Sequence, residues 1–337
     1  MLIHVHCAGS MTEGLDSPSR GEGRWAQNIV KVLAKQGHTI VATGGGLPSW
    51  GSTKKVDNVY LVPESSPIYG FDGHDIFDLS LDPTWWKDKK PMVRAKKYLV
   101  MKWSLEDYTR SEPLPDNQYL CYPLNIHTPQ FFEDRCINKD RSFFLPLPLG
   151  EKFREPNFDA DGILWTCKDV DREKFMRDNA RMMMDKVLYP LVEKDENLFV
   201  VWLMADMMSN VGLEPKIRSN VDLPFCGLIP YYRVRELLSA CRLVMAVNIP
   251  GSVLDATSLG VPTLEWEVGG FFNHIGRKHN VLIEKDATVE RIQEVVNKFL
   301  YNKDFYCDYV KDIQEELKFN TNSYSLECFN NIVKKIF

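Results

Sequence analysis

The sequence predicts an α/β protein made of two doubly wound parallel sheets. Three observations carry this. A βαβ pattern opens the chain, a second one restarts after a proline-rich junction near the middle, and 337 residues suffice for roughly two domains of about 150 residues each.

The first domain begins with residues 2–7 (LIHVHC), short, apolar and β-branched, as a strand buried on both faces should be. A polar, glycine-containing loop over residues 8–23 follows. Residues 24–36 then place Trp25, Ile29, Val32 and Leu33 at helical spacing, and Gly37 closes the helix. Residues 38–43 (HTIVAT) complete the unit. Further strands are expected at 59–62, 75–79, 98–101, 118–122 and 143–147.

The stretch LPLPLGEKFREP at 145–156 reads as a linker, since its prolines and glycine break regular structure. A second βαβ pattern begins beyond it. Residues 163–166 (ILWT) form a strand, 173–191 a long amphipathic helix and 198–204 (LFVVWLM) a buried strand. Strands at 225–229, 243–247 and 262–265 alternate with helices at 233–240 and 253–259, and from 289 the pattern is helical to the end. The expected division is therefore 1–155, 156–318 and a last helix, 319–337, that crosses back to the first domain. Two such halves face each other across a cleft at the carboxyl ends of their strands.

Composition narrows the class. Hydrophobic residues make up 44% and charged residues 26%, which excludes disordered and fibrous chains. The longest apolar run, 198–205, is far below the roughly 20 residues of a membrane span, and no signal peptide is read at the start. Eight cysteines without a CxxC pair fit buried thiols in a reducing, cytoplasmic setting. A net charge of −5 argues against non-specific nucleic-acid binding, though it permits a local basic groove.

Four stretches, in order, resemble the nucleotide-sugar glycosyltransferases of the GT-B fold, retaining family 4 above all. SRGEGRWAQNIVKVLAKQGHTIVAT is similar to that family's opening glycine loop, helix and second strand. FLPLPLGEKFREP resembles its interdomain junction, GLIPYYRVRELLSACRLVMAV its strand–helix–strand, and LDATSLGVPTLEWEVGG its donor-site helix and Gly-Gly loop. The resemblance spans nearly the whole chain. It implies Rossmann-like halves, a UDP-sugar as the expected donor, and an acceptor hydroxyl on a carbohydrate, lipid, protein or modified DNA base. No cofactor is implied beyond the donor.

A diphosphate leaving group needs positive charge, and backbone N–H groups at a helix start supply it. Gly251 permits close approach ahead of the predicted helix, while Ser252 serves as helix cap or phosphate donor. The resemblance places Asp255 where the family carries a ribose-binding glutamate. The chain departs from the family's E-x7-E pattern at its first position, where Val247 stands. Lys168, Arg172 and Lys174 follow the first strand of the second half, and one of them is expected on phosphate, so no metal is called for. Glu265, Gly269 and Gly270 match the family's donor-site loop, and Gly9 is the close-approach position after the first strand.

Acceptor candidates are Ser10, Arg20, Arg24, Lys102 and His127. His4 and His6 share one face of the first strand. His4 reads as a buried, hydrogen-bonded residue, and His6, nearer the carboxyl end, as the proton-handling candidate beside Glu106 and Asp107. A cluster of Trp85, Trp86, Lys87, Lys89, Lys90, Arg94, Lys96 and Lys97 interleaves aromatic and basic residues, as strand-binding surfaces do and as ordinary solvated faces also do. A DNA-base glycosyltransferase, a sugar-nucleotide epimerase or phosphorylase and a non-catalytic sugar-nucleotide-binding module are the other readings these residues allow.

Overall fold

The computed structural model describes residues 1–10, 14–16, 21–45, 54–63, 77–82, 93–102, 114–123, 132–133, 137–167, 182–204, 222–226, 230–247, 250–265, 283–284 and 286–337. The chain divides into two compact units, one of Met1–Glu151 with Phe319–Phe337, the other of Lys152–Lys318.

The first unit contains β1 (Leu2–Ser10), α1 (Gly21–Ala34), β2 (Thr39–Gly45), β3 (Lys54–Val56), β4 (Val59–Pro63), β5 (Phe77–Asp82), β6 (Ala95–Met101), β7 (Gln118–Tyr122) and β8 (Ser142–Phe144). They form one sheet in the order β3-β4-β2-β1-β5-β6-β7-β8. Every pairing is parallel except the β3–β4 hairpin. The order runs outward from β1 to one side and then restarts from β1 with β5 on the other, the doubly wound pattern. Ile3, Val5 and Cys7 on one face of β1 and His4 and His6 on the other are buried, as are Trp25, Ile29 and Leu33 of α1.

In the second unit the described strands are β9 (Gly162–Cys167), β10 (Phe199–Met204), β11 (Asp222–Cys226), β12 (Cys241–Val247) and β13 (Thr263–Glu265). They make an all-parallel sheet, β11-β10-β9-β12-β13, whose order reverses between β9 and β12. Its helices are α2 (Tyr189–Lys194, entered through a π-turn at Met184–Leu188), α3 (Tyr231–Ser239), α4 (Pro250–Ser258), α5 (Val289–Tyr301) and α6 (Lys303–Glu316). The last helix, α7 (Asn322–Ile336), packs in the first unit.

Local chemistry explains the helix boundaries. Thr288, Asn302 and Thr321 precede α5, α6 and α7, and each side chain accepts from the backbone N–H three residues on. Backbone pairing then anchors α7. Asn322 N donates to Gly150 O at 2.9 Å, Leu149 N donates to Asn320 O at 2.9 Å, and Asn320 Nδ2 donates to Leu147 O at 3.1 Å. Phe329 meets the His38 ring edge-on at 6.3 Å.

The structure moves some expected boundaries. β1 runs on to Ser10, which pairs with Gly45 beyond a register shift, so Gly9 and Ser10 belong to the strand rather than to the loop. α1 begins at Gly21, which puts Arg24 in its first turn. β11 begins at Asp222, three residues earlier than expected, where it pairs with β10, and residues 227–229 of the expected strand lie outside the described residues. Of the expected helix over 173–191, residues 173–181 lie outside the described residues. No described helix is long and apolar enough to cross a membrane.

Gly260 sits at φ +78°, and a Cβ added there would overlap the Glu155 carbonyl. Gly37 has a similar φ of +76° but open space around it. Gly37→Ala should therefore cost about 1 kcal/mol, the left-handed backbone penalty alone. Gly260→Ala should cost about 2 kcal/mol or more and lower the thermal midpoint measurably further. Equal midpoints for the two variants would contradict the overlap.

Candidate functional site

In doubly wound sheets, ligands bind outside the carboxyl ends of the strands, where the strand order reverses. The first unit concentrates buried polar groups there. Register pairs His4 with Ser80 and Val41, and His6 with Thr43, so these side chains share one face. His4 is fully buried; its Nδ1 lies 2.8 Å from Ser80 Oγ and its Nε2 3.0 Å from Thr43 Oγ1. His6 Nδ1 lies 3.2 Å from the same Thr43 oxygen. Burial, with His6 nearby, pushes His4 down to about 3. His4 therefore stays a neutral imidazole at ordinary pH.

Asp82 follows one residue beyond the Val5–Leu81 pair, on the face that carries His6, and is 4% exposed. Lys102 follows β6, donates its backbone N–H to Cys121 O at 2.9 Å and is 6% exposed. Arg24, in the first turn of α1, is also buried. Each of these charged groups has an electrostatic or hydrogen-bonding partner. Gly9 and Ser10 are the last residues of β1. Arg20 and His127 lie outside the described residues.

In the second unit the register aligns three strand ends. Cys167 at the end of β9 pairs with Val247 at the end of β12, and Ala246 pairs with Glu265 at the end of β13. The carboxyl ends of β9, β12 and β13 thus leave the sheet at nearly one level, beside the reversal of strand order. α4 begins at Pro250 rather than at Val253, so Gly251 and Ser252 lie within its first turn and Ser252 is not its cap. Lys168, Arg172, Lys174, Gly269 and Gly270 lie outside the described residues.

Asp255, also on α4, is fully buried, and its Oδ1 accepts from the Tyr231 hydroxyl at 2.7 Å. Arg235, one turn along α3, donates to the Tyr231 oxygen at 3.2 Å and to Ser258 Oγ at 3.4 Å. Ser258 Oγ closes the set by donating to Asp255 O at 2.7 Å. Sequence reasoning missed Thr43, Ser80, Asp82, Tyr231 and Arg235. The strand FDLSLD carried a signal for two of them, since Ser80 and Asp82 alternate with leucines and so share a face.

Among the described residues no group of three or more His, Cys, Asp or Glu is arranged to hold a metal ion. Cys7, Cys121 and Cys241 are buried free thiols, and burial raises all three.

Two doubly wound parallel sheets in one chain define the fold of GT-B glycosyltransferases, and solved structures of that class match over the full length. WaaG, a glycosyltransferase involved in lipopolysaccharide biosynthesis, matches with a TM-score of 0.59 at 15% identity, over 96% of this chain and 98% of its own. A sucrose-phosphate synthase from Thermosynechococcus elongatus matches with a TM-score of 0.62 at 10% identity, over 100% and 99%. An alpha-glucosyltransferase in complex with UDP-glucose and DNA containing an abasic site matches with 0.56 at 11% identity, over 100% and 99%. At these identities the likeness is one of fold. No protein-family profile and no curated protein matches the sequence.

Two outcomes follow from the buried polar groups. An unfolded histidine titrates near 6.5, so between about pH 6.5 and 3 the unfolded chain takes up a proton at His4 that the folded chain refuses. Acid should therefore cost stability, on the order of 1.4 kcal/mol per pH unit from this group. Urea midpoints measured at pH 7, 5.5 and 4.5 should fall more steeply for the wild type than for His4→Gln. Tyr231→Phe removes a donor from the buried Asp255 carboxylate and should cost about 1–3 kcal/mol in chemical denaturation; a loss below a few tenths would show that the hydroxyl contributes little.

Proposed function

We propose that the chain transfers a sugar from a nucleoside diphosphate sugar to an acceptor hydroxyl. The observation that carries this reading is the start of α4 at Pro250, three residues beyond the end of β12 and next to β9, where the strand order of the second sheet reverses. A helix start in that place presents unpaired N–H groups and a positive dipole end to a diphosphate. The complexes of an alpha-glucosyltransferase with UDP-glucose and with UDP make UDP-glucose the first donor to test.

In this reading the second unit holds the donor. Gly251 and Ser252 take phosphate oxygens through the α4 start, and a cation from Lys168, Arg172 or Lys174 neutralises charge as the diphosphate leaves. Asp255 takes the ribose hydroxyls, which must compete with Tyr231 for its oxygen. Glu265, Gly269 and Gly270 are the donor-site loop of the resemblance, and Gly9 is its close-approach position at the end of β1. Val247 puts an apolar side chain at the first E-x7-E position, so no carboxylate from that position reaches the sugar. The acceptor lies near Ser10, Arg20, Arg24, Lys102 and His127, and His6 takes the proton of its hydroxyl. Retention at the anomeric carbon, which the family resemblance implies, requires the acceptor oxygen to attack from the face the diphosphate leaves.

A second reading concerns only the acceptor. Two matching alpha-glucosyltransferase structures hold DNA, one a 13-mer with an HMU base, which favours including hydroxymethylated DNA among the acceptors.

The test is a panel of nucleotide sugars read by thermal shift. At a hundredfold excess over Kd a true donor should add about 2.7 kcal/mol, a rise of several degrees. UDP-glucose should raise the midpoint and undergo slow hydrolysis, and Lys168→Ala with Ser252→Ala should remove most of both effects. Stabilisation without turnover would favour a binding module, and release of an isomerised sugar nucleotide an epimerase. No shift with any nucleotide sugar would end the proposal.

A further inference from the structure

We infer that the buried chain Ser80–His4–Thr43 sets which ring nitrogen of His6 carries the proton, making Thr43 and His4 positioning residues for proton transfer at His6. The inference rests on the proposed role of His6, and the hydrogen bonds that carry it come from three adjacent strands of the first sheet.

Thr43 Oγ1 lies within hydrogen-bond distance of two imidazoles, 3.0 Å from His4 Nε2 and 3.2 Å from His6 Nδ1. A hydroxyl has one proton, so it donates to one ring nitrogen and accepts from the other. The two tautomers are therefore tied together. In the first ordering, His6 Nδ1–H donates to Thr43, Thr43 donates to His4 Nε2, and His4 Nδ1–H donates to Ser80 Oγ at 2.8 Å. The second ordering reverses every donor and leaves His6 protonated at Nε2.

Protonation of His6 distinguishes them. A charged imidazole donates from both nitrogens, so Thr43 must then accept from His6 and donate to His4. Only the first ordering already has that form. His4 can play this part because burial keeps it neutral, with its ordinary value lowered to about 3. The first ordering leaves His6 Nε2 as a lone-pair acceptor, and proton uptake there requires no rearrangement of Thr43, His4 or Ser80. Asp82 follows the Val5–Leu81 pair and shares the face of His6, and among the described residues of the unit Lys102 and Arg24 are also buried and charged.

The step balances as follows. The acceptor O–H gives its proton to His6 Nε2, and the acceptor oxygen bonds to the anomeric carbon. The bond from that carbon to the diphosphate breaks, and its electron pair stays on the diphosphate.

The experiment is long-range nitrogen–proton NMR of the imidazoles in the full chain, at a pH where His6 is neutral. Its signals are assigned by their disappearance in His6→Gln. The wild type should carry the proton on Nδ1. Thr43→Val, which removes the shared hydroxyl, should move it to Nε2, and Thr43→Ser should keep it on Nδ1. Donor turnover should follow the same order, with kcat falling about tenfold or more in Thr43→Val, KM little changed, and Thr43→Ser restoring the rate. A wild-type proton on Nε2, or a Thr43→Val spectrum identical to the wild type, would overturn the inference. The wild-type spectrum decides even if Thr43→Val fails to fold. If no nucleotide sugar is turned over, the transfer proposal falls while the tautomer measurement still decides the relay.

Discussion

Parallel pairing at two points, β1 beside β5 and β9 beside β12, is the constraint on which the rest of the structure depends. A parallel strand needs a crossover to return, and crossovers to opposite sides of the first strand leave the chain exiting both neighbours at one edge. Level strand ends follow from register: Cys167 pairs with Val247 and with Met204, and Met204 pairs with Cys226. Without that alignment, the carboxyl ends of β9 and β12 would not leave the sheet together.

The two units solve the problem of buried polarity differently. In the first, polar side chains alternate with apolar ones on strands, so each polar group meets its partner across a ladder: His4 meets Ser80 and Thr43, and His6 meets Thr43. In the second, the partners come from helices. Tyr231 and Arg235 of α3 reach Asp255 and Ser258 of α4, so the pairing ties two helices together at a fixed offset. Buried groups of this kind are costly unless satisfied, which makes each set a constraint on geometry as much as a source of stability.

The resemblance and the fold meet at different depths. The four motif stretches cover strands and helices that the structure forms, and solved glycosyltransferases match the chain from end to end. The departure at Val247 lies at the end of β12, level with the end of β9. Asp255 is also one methylene shorter than the glutamate of the family, and the Tyr231 hydroxyl occupies its oxygen at 2.7 Å. Both differences bear on how a sugar nucleotide would be gripped, and neither alters the sheet beneath.

Sequence alone determined the fold class and the positions of most strands, because a strand buried on both faces must be a short apolar run and a covering helix must repeat its apolar residues every three to four positions. It also marked His4 and His6 as sharing a face, since a strand alternates strictly. Partners were beyond its reach. Thr43 is 37 residues from His6 and Ser80 is 76 from His4, and nothing in a linear pattern states which strands become neighbours or in what register. The extension of β1 to Ser10 and the placement of β11 at Asp222–Cys226 were decided the same way, by pairing with a neighbouring strand. Hydrogen bonds between strands far apart in the chain exist only once the sheet has closed, and so only the tertiary structure could decide them.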